Sequence, residues 1–331
     1  MLKDPYGRPL ESIRISVTQR CNLNCFYCHR EGEDQSKKGE MTPEEIQRIV
    51  AIAASFGLGE VKLTGGEPLI RRDILEIVTK IHETPGVKEV SMTTNGILLP
   101  EYAYDLKKAG LARVNVSLDT LKSEIYKQIT GVDALKSVTF GIARAKDAGL
   151  HPVKVNMVLL KGLNEHEVPE MIDFARKNGV ILQIIELESP NEDEFYERYH
   201  ASLDVVERLL KGMAESITVR RMHHRKKYHL RGGGEVEVVR ESRARDHAQN
   251  RHGGVGVAAT RQNQLPQRAA AEQDASQPDK RHSDEVPEMP VMRDRLPRKA
   301  EMNLADDQIA DERHKKYRSE AAQKMRVANE E

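Results

Sequence analysis

Between Ser12 and about Leu187, short β-branched runs alternate with amphipathic stretches of helical period, and turn residues punctuate each change. A chain patterned in this way buries its apolar surface as parallel strands joined by helices. Strands are expected over residues 13–17, 60–63, 89–93, 113–118, 152–159 and 181–187. Helices are expected to start near Thr42, Asp73, Pro100, Lys122, Ala134 and Glu165. The first carries Thr42-Pro43-Glu44-Glu45, an N-cap, an N1 proline and first-turn acids. The fold class is therefore α/β, six βα units with parallel strands joined by helices, and its functional groups belong at the C-terminal ends of the strands.

The pattern stops before the chain does. Between Ser216 and Arg240, two basic, alternating segments flank Gly232-Gly233-Gly234, as in a β-hairpin beyond the last βα unit. Residues 241–331 contain three leucines, one isoleucine, one tyrosine and no phenylalanine, too little to build a core, so they read as disordered or as the product of a reading-frame slip. Three regions follow: the βα units over residues 1–210, a hairpin extension over 211–240 and a tail over 241–331. With 52 basic and 52 acidic side chains the formal charge is zero, which argues against holding nucleic acid by bulk electrostatics. No apolar run approaches the roughly 18 residues of a membrane span, and the start lacks the apolar core of a signal peptide, so no membrane association and a cytoplasmic location are expected.

All three cysteines, Cys21, Cys25 and Cys28, lie within eight residues, directly after the first expected strand. Three thiolates on one loop suit a soft metal. A zinc site would want a fourth ligand, and His29 is a poor one because it adjoins Cys28. A [4Fe-4S] cluster held by three cysteines would leave one iron open to another ligand. Thr64-Gly65-Gly66-Glu67-Pro68 follows the second strand, where the glycines permit close backbone approach and Glu67 offers an acceptor suited to a ligand ammonium. Ser117-Leu118-Asp119 closes the fourth. Arg14, Lys62, Arg71, Arg72 and Lys154 bring cations to the same rim, a grouping that suits an anionic ligand such as a triphosphate.

The Cys21-Asn-Leu-Asn-Cys25-Phe-Tyr-Cys28 loop, with Tyr27 before the last cysteine, resembles the motif of the radical S-adenosylmethionine (SAM) superfamily, and the Gly-Gly-Glu-Pro element fits it. Narrower still, Arg14-Ile-Ser-Val-Thr-Gln-Arg-Cys21, Thr64 to Asp73, Thr93-Thr-Asn-Gly96, Val114 to Asp119, Lys154-Val-Asn156 and the Cys28-His-Arg-Glu-Gly32 continuation resemble the archaeal GTP 3′,8-cyclases of molybdenum cofactor biosynthesis. The resemblance implies a partial (βα)6 TIM-type barrel of the radical SAM kind with a [4Fe-4S] cluster on Cys21, Cys25 and Cys28. It implies SAM contacts at Tyr27, Gly66 and Ser117, and GTP contacts at Arg14, Lys62, Thr93 and Lys154. The implied reaction is a lyase-type conversion of GTP to (8S)-3′,8-cyclo-7,8-dihydroguanosine 5′-triphosphate, started by a 5′-deoxyadenosyl radical. Implied partners are a cluster reductant, cyclic pyranopterin monophosphate synthase downstream, and a second copy in a homodimer.

The sequence departs from this family in one respect above all. The family holds a second [4Fe-4S] cluster on C-terminal cysteines, and here no cysteine follows Cys28. A cyclase-like chain inactive for want of that cluster, a radical SAM enzyme of peptide maturation, and a zinc-binding chain are the alternative readings. Glu188 stands where many relatives place a SAM-contacting methionine and is left out of the site. His223, His224 and His229, beside Arg225, Lys226 and Lys227, read as solvated surface.

Overall fold

The structure is a computed structural model; it describes residues 2–3, 9–28, 39–188, 194–219 and 225–240, with the backbone of 254–258. The described elements belong to a compact unit spanning Met1–Pro266. Six parallel strands run in chain order across one sheet: β1 (Ser12–Ser16), β2 (Glu60–Thr64), β3 (Glu89–Thr94), β4 (Arg113–Ser117), β5 (Lys154–Leu159) and β6 (Ile181–Glu186). The helices between them are α1 (Pro43–Ser55), α2 (Ile74–His82), α3 (Leu99–Lys108), α4 (Ser123–Thr130), α5 (Leu135–Asp147) and α6 (Val168–Asn178). At the start of α1, the Thr42 hydroxyl accepts from Glu45 N–H while the Glu45 carboxylate accepts from Thr42 N–H, a complete capping box.

The two faces of this sheet differ in chemistry. Ile13, Ile15, Val61, Leu63, Val90, Met92, Val114 and Val116 are buried on the face that the helices cover. Successive strand residues point to opposite faces, so Arg14, Lys62, Ser91, Arg113, Asn115 and Lys154 share the other one. A parallel strand covered by helices on both faces reads as a near-continuous apolar run. Here every second position along β1 to β4 is polar, so the inner face lines a lumen and is not a second helix-packing surface.

Beyond β6 come α7 (Glu194–Tyr199), α8 (Asp204–Met213), β7 (Ala214–Val219), β8 (Lys226–Leu230) and β9 (Glu235–Val239). The expected hairpin is β8–β9, antiparallel and turning at Gly232-Gly233-Gly234. It does not stand apart. Strand β9 pairs in parallel with β6, Gln183 facing Glu237, so the extension continues the barrel sheet. Strand β10 (Gly254–Ala258) pairs in parallel with β1 at the opposite edge, giving the order β10-β1-β2-β3-β4-β5-β6-β9-β8-β7. The rest of the tail expected to be disordered lies outside the described residues, as do His223 and His224; His229 is half-buried with its Nδ1 3.2 Å from Glu235. No described helix is long and apolar enough to cross a membrane.

Candidate active site

From β1 the chain runs into the cysteine loop, which is pinned at several points to the carboxyl end of the sheet. Gly66 N–H donates to Thr18 O (2.7 Å), and Glu67 N–H to Arg20 O (2.8 Å). Asn95 Nδ2 donates to Asn22 Oδ1 (2.7 Å), and the Tyr27 hydroxyl to Asp119 Oδ2 (2.7 Å). Asn24 and Phe26 donate from their backbone to Thr130 and Ile129 at the end of α4. The loop is thus tied to the segments leaving β2, β3 and β4 before any cofactor is considered.

The Gly65-Gly66 pair has a reason within the protein itself. Gly65 sits at φ +138°, and a Cβ on Gly66 would lie 2.1 Å from Arg20 O. The close backbone approach expected at these glycines is therefore to the cysteine loop. Gly66 has spent its N–H on Thr18, leaving its carbonyl as the group able to meet a ligand ammonium. Glu67 corrects the sequence reading: it is buried, and its carboxylate accepts from Thr94 Oγ1 (2.7 Å), Leu69 N–H (3.0 Å) and Asn95 N–H (2.6 Å). It is a brace between two loops, not an acceptor awaiting a ligand. Burial raises its pKa, and those donors hold the rise back. Arg71 is a second correction. Its buried guanidinium donates to Val17 O (2.7 Å), Met41 O (3.0 and 3.1 Å) and Asp73 (2.8 and 2.5 Å), which leaves none of it for an anion.

The three thiols share one loop, Cys21 and Cys28 exposed and Cys25 partly so. Among the described residues no set of three His, Cys, Asp or Glu side chains converges tightly enough to hold a single metal ion. A cubane meets its ligands at separate corners, so the donor set fits a cluster better than a lone zinc ion. The charges agree. Burial, then Asp119 and the other two cysteines, push the Cys25 thiol up to about 12, and burial also raises Cys21. Such thiols stay protonated until a metal supplies the positive charge, which then deprotonates them outright. Beside them Asp119, raised to about 6 by burial, accepts from Val158 N–H (2.8 Å) as well as Tyr27. Phe26 packs against Phe195 (5.9 Å) and Tyr199 (4.9 Å) of α7, so a helix that the sequence reading missed covers the outside of the loop.

Lower in the lumen the strand register forms two rows. Arg14, Lys62, Ser91 and Arg113 stand opposite one another across β1 to β4, and Thr93, Asn115 and Lys154 across β3 to β5. Lys62 is half-buried, and its pKa is lowered to about 7, first by burial and then by Arg14, Arg113, Arg225 and Lys154. Lys154 is held by Glu237 (2.7 and 2.8 Å), and Arg113 by Glu89 (2.7 Å). The side-chain oxygens of Asn115 and Asn156 are buried without a hydrogen-bond partner, two acceptors that suit the N–H or O–H groups of a polar ligand. Sequence reasoning missed both, although each lies two positions from a residue it chose, on the same strand face.

A partial parallel barrel with a three-cysteine loop at its mouth and a cationic lumen defines a class, and the comparisons agree with it. Residues 15–175 match the model of the radical SAM superfamily. A crystal structure of Streptococcus suis SuiB bound to S-adenosylmethionine superposes with a TM-score of 0.51 at 22% identity, covering 62% of this chain and 46% of that one, a likeness of fold. The chain belongs to the radical SAM superfamily, whose members use a [4Fe-4S] cluster and SAM. It is 54% identical over 246 residues to a probable GTP 3′,8-cyclase of Thermococcus kodakarensis, covering 72% of this chain and 79% of that protein. It is 49% identical over 242 residues to one from Methanothermobacter thermautotrophicus, covering 72% and 78%. Within the superfamily it is a member of the GTP 3′,8-cyclase family.

Proposed function

We propose that this chain binds SAM at the cysteine loop and GTP in the lumen beneath it, as an enzyme of molybdenum cofactor biosynthesis. The observation that carries the reading is the double row of Arg14, Lys62, Arg113 and Lys154 on a lumen face that opens toward three thiols. Cys21, Cys25 and Cys28 would hold a [4Fe-4S] cluster, which, when reduced with SAM bound, supplies a 5′-deoxyadenosyl radical able to abstract a hydrogen atom from the ribose. Tyr27, fixed by Asp119, with the Gly66 carbonyl and Ser117 would orient SAM. Arg14, Lys62 and Lys154 would neutralise the triphosphate, with Thr93 beside it. Asn115 and Asn156 would accept from hydroxyls or N–H groups of the nucleoside. The α7 aromatics Phe195 and Tyr199 would steady the loop through Phe26.

The second cluster implied by the family does not fit this chain, because no cysteine follows Cys28. No step is derived through it. Without its contact to the guanine, SAM cleavage is expected to persist while cyclisation is slow or absent. Anaerobic reconstitution followed by quantification of 5′-deoxyadenosine, with and without GTP, tests the reading. GTP-stimulated release supports it, and release indifferent to GTP overturns the substrate assignment. Full cyclase turnover by this polypeptide would overturn the expected loss.

A further inference from the structure

Lys154 carries a counter-anion that comes from outside the six βα strands, whereas the partner of Arg113, Glu89, lies on the adjacent strand β3. Glu237, 1% exposed, arrives on β9, the strand laid beside β6 beyond the last βα unit. Both of its oxygens accept from Lys154 Nζ, at 2.8 and 2.7 Å. Its Oε2 also accepts from Gln183 Nε2 (2.9 Å). Lys227 Nζ stands 3.9 Å from Oε1 while bonded to Glu235 at 2.7 Å. For Arg14 and Lys62, in the neighbouring row, no such pair forms among the described residues.

Leaving a buried charge without its partner is costly, so an anion that takes Lys154 must leave Glu237 compensated. Two features permit that exchange. Glu237 keeps Gln183 and has Lys227 within reach, and a cavity of about 300 Å3 lined by Glu89, Arg113, Lys154, Lys227 and Glu237 gives the ammonium room to turn.

We propose that Glu237 is an internal counter-anion: it holds the Lys154 ammonium at the lumen wall in the ligand-free protein, and the triphosphate of the bound nucleotide takes Lys154 by displacing it. The inference rests on the GTP reading above. Glu237 acts through Lys154 and is a positioning residue. Part of the attraction for the triphosphate is consumed in breaking the pair, so neutralising Glu237 tightens GTP binding. A carboxylate that only fastened β9 to β6 would do the reverse, because its loss would loosen the lumen wall.

The test is GTP binding to the reconstituted full chain by anaerobic equilibrium dialysis, for the wild type, Glu237→Gln, Lys154→Gln and the double variant. Glu237→Gln is expected to lower the Kd by about tenfold, the scale of a close charge pair. Lys154→Gln is expected to raise it, and adding Glu237→Gln in that background is expected to change it by less than about twofold, since the effect runs through Lys154. A Glu237→Gln Kd equal to or weaker than that of the wild type overturns the proposal, as does the same tightening in the absence of Lys154. Should Glu237→Gln fail to fold, Glu237→Asp, which keeps the charge but withdraws it from the two-oxygen contact, carries the test with about threefold tightening expected. There too, an unchanged or weaker Kd overturns it. A wild-type chain that cleaves SAM but binds no GTP overturns the substrate reading itself, a failure distinct from the other.

Discussion

Lys62 shows how strongly one lumen position is conditioned by its surroundings. Burial and four nearby cations bring its pKa from 10.5 down to about 7. A bound anion reverses that preference, so GTP binding draws a proton onto Lys62 between pH 7 and 10.5, and affinity falls as pH rises above about 7. Titration calorimetry at about pH 8, inside that window, in two buffers of different ionisation heat should show proton uptake, and Lys62→Met should flatten the pH dependence of the Kd. The sign for folding follows from the same shift. The folded pKa lies below the unfolded one, so the destabilisation from Lys62 in the ligand-free protein is full below about pH 7 and fades as pH climbs toward 10.5. Glu67 gives a second prediction at this scale. Its three donors face an acceptor-only carboxylate, so Glu67→Gln turns an NH2 toward a backbone N–H or a hydroxyl. A loss of about 2 kcal/mol in urea unfolding is expected.

Among the elements, the cysteine loop depends on neighbours that the motif does not name. The β2 loop touches it at Gly66, where a methyl group would meet the Arg20 carbonyl at 2.1 Å. Gly66→Ala should therefore cost about 3 kcal/mol and lower iron incorporation, measured by unfolding and by iron per chain after reconstitution. Loss of iron loading with unchanged stability would place Gly66 at the cofactor alone. Helix α7 covers the loop from outside through Phe195 and Tyr199, and α8 and β7 to β9 extend the sheet. The six strands and the six helices between them were legible because their periods of two and 3.6 persist over enough residues to be read. Helix α7 was not, since six residues carrying Phe195, Tyr196 and Tyr199 show too little of a period.

For the whole molecule, the tail is the part that family membership does not explain. The relatives align over 72% of this chain, and the composition changes after Arg240. Resequencing the gene separates a frame slip from a divergent tail, and an intact frame with no nearby slip would sink the former. The expected holoprotein carries about four irons per chain, those of one cubane on three cysteines. About eight, the content of two cubanes, would require ligands that this sequence lacks.

What the sequence by itself determined was local and periodic: the alternation that makes parallel strands joined by helices, and three cysteines close enough in the chain that any fold keeps them on one loop. It also showed that cations recur on the inner face, because strand residues two apart share a face. Only the tertiary structure decided which of them are spoken for. Arg71 binds carbonyls 30 and 54 residues away, Glu67 braces a loop 28 residues on, and Lys154 meets a carboxylate 83 residues later. Periodicity assigns a side chain to a face, but its partner is chosen by strand order and register, which depend on contacts between segments distant in the chain.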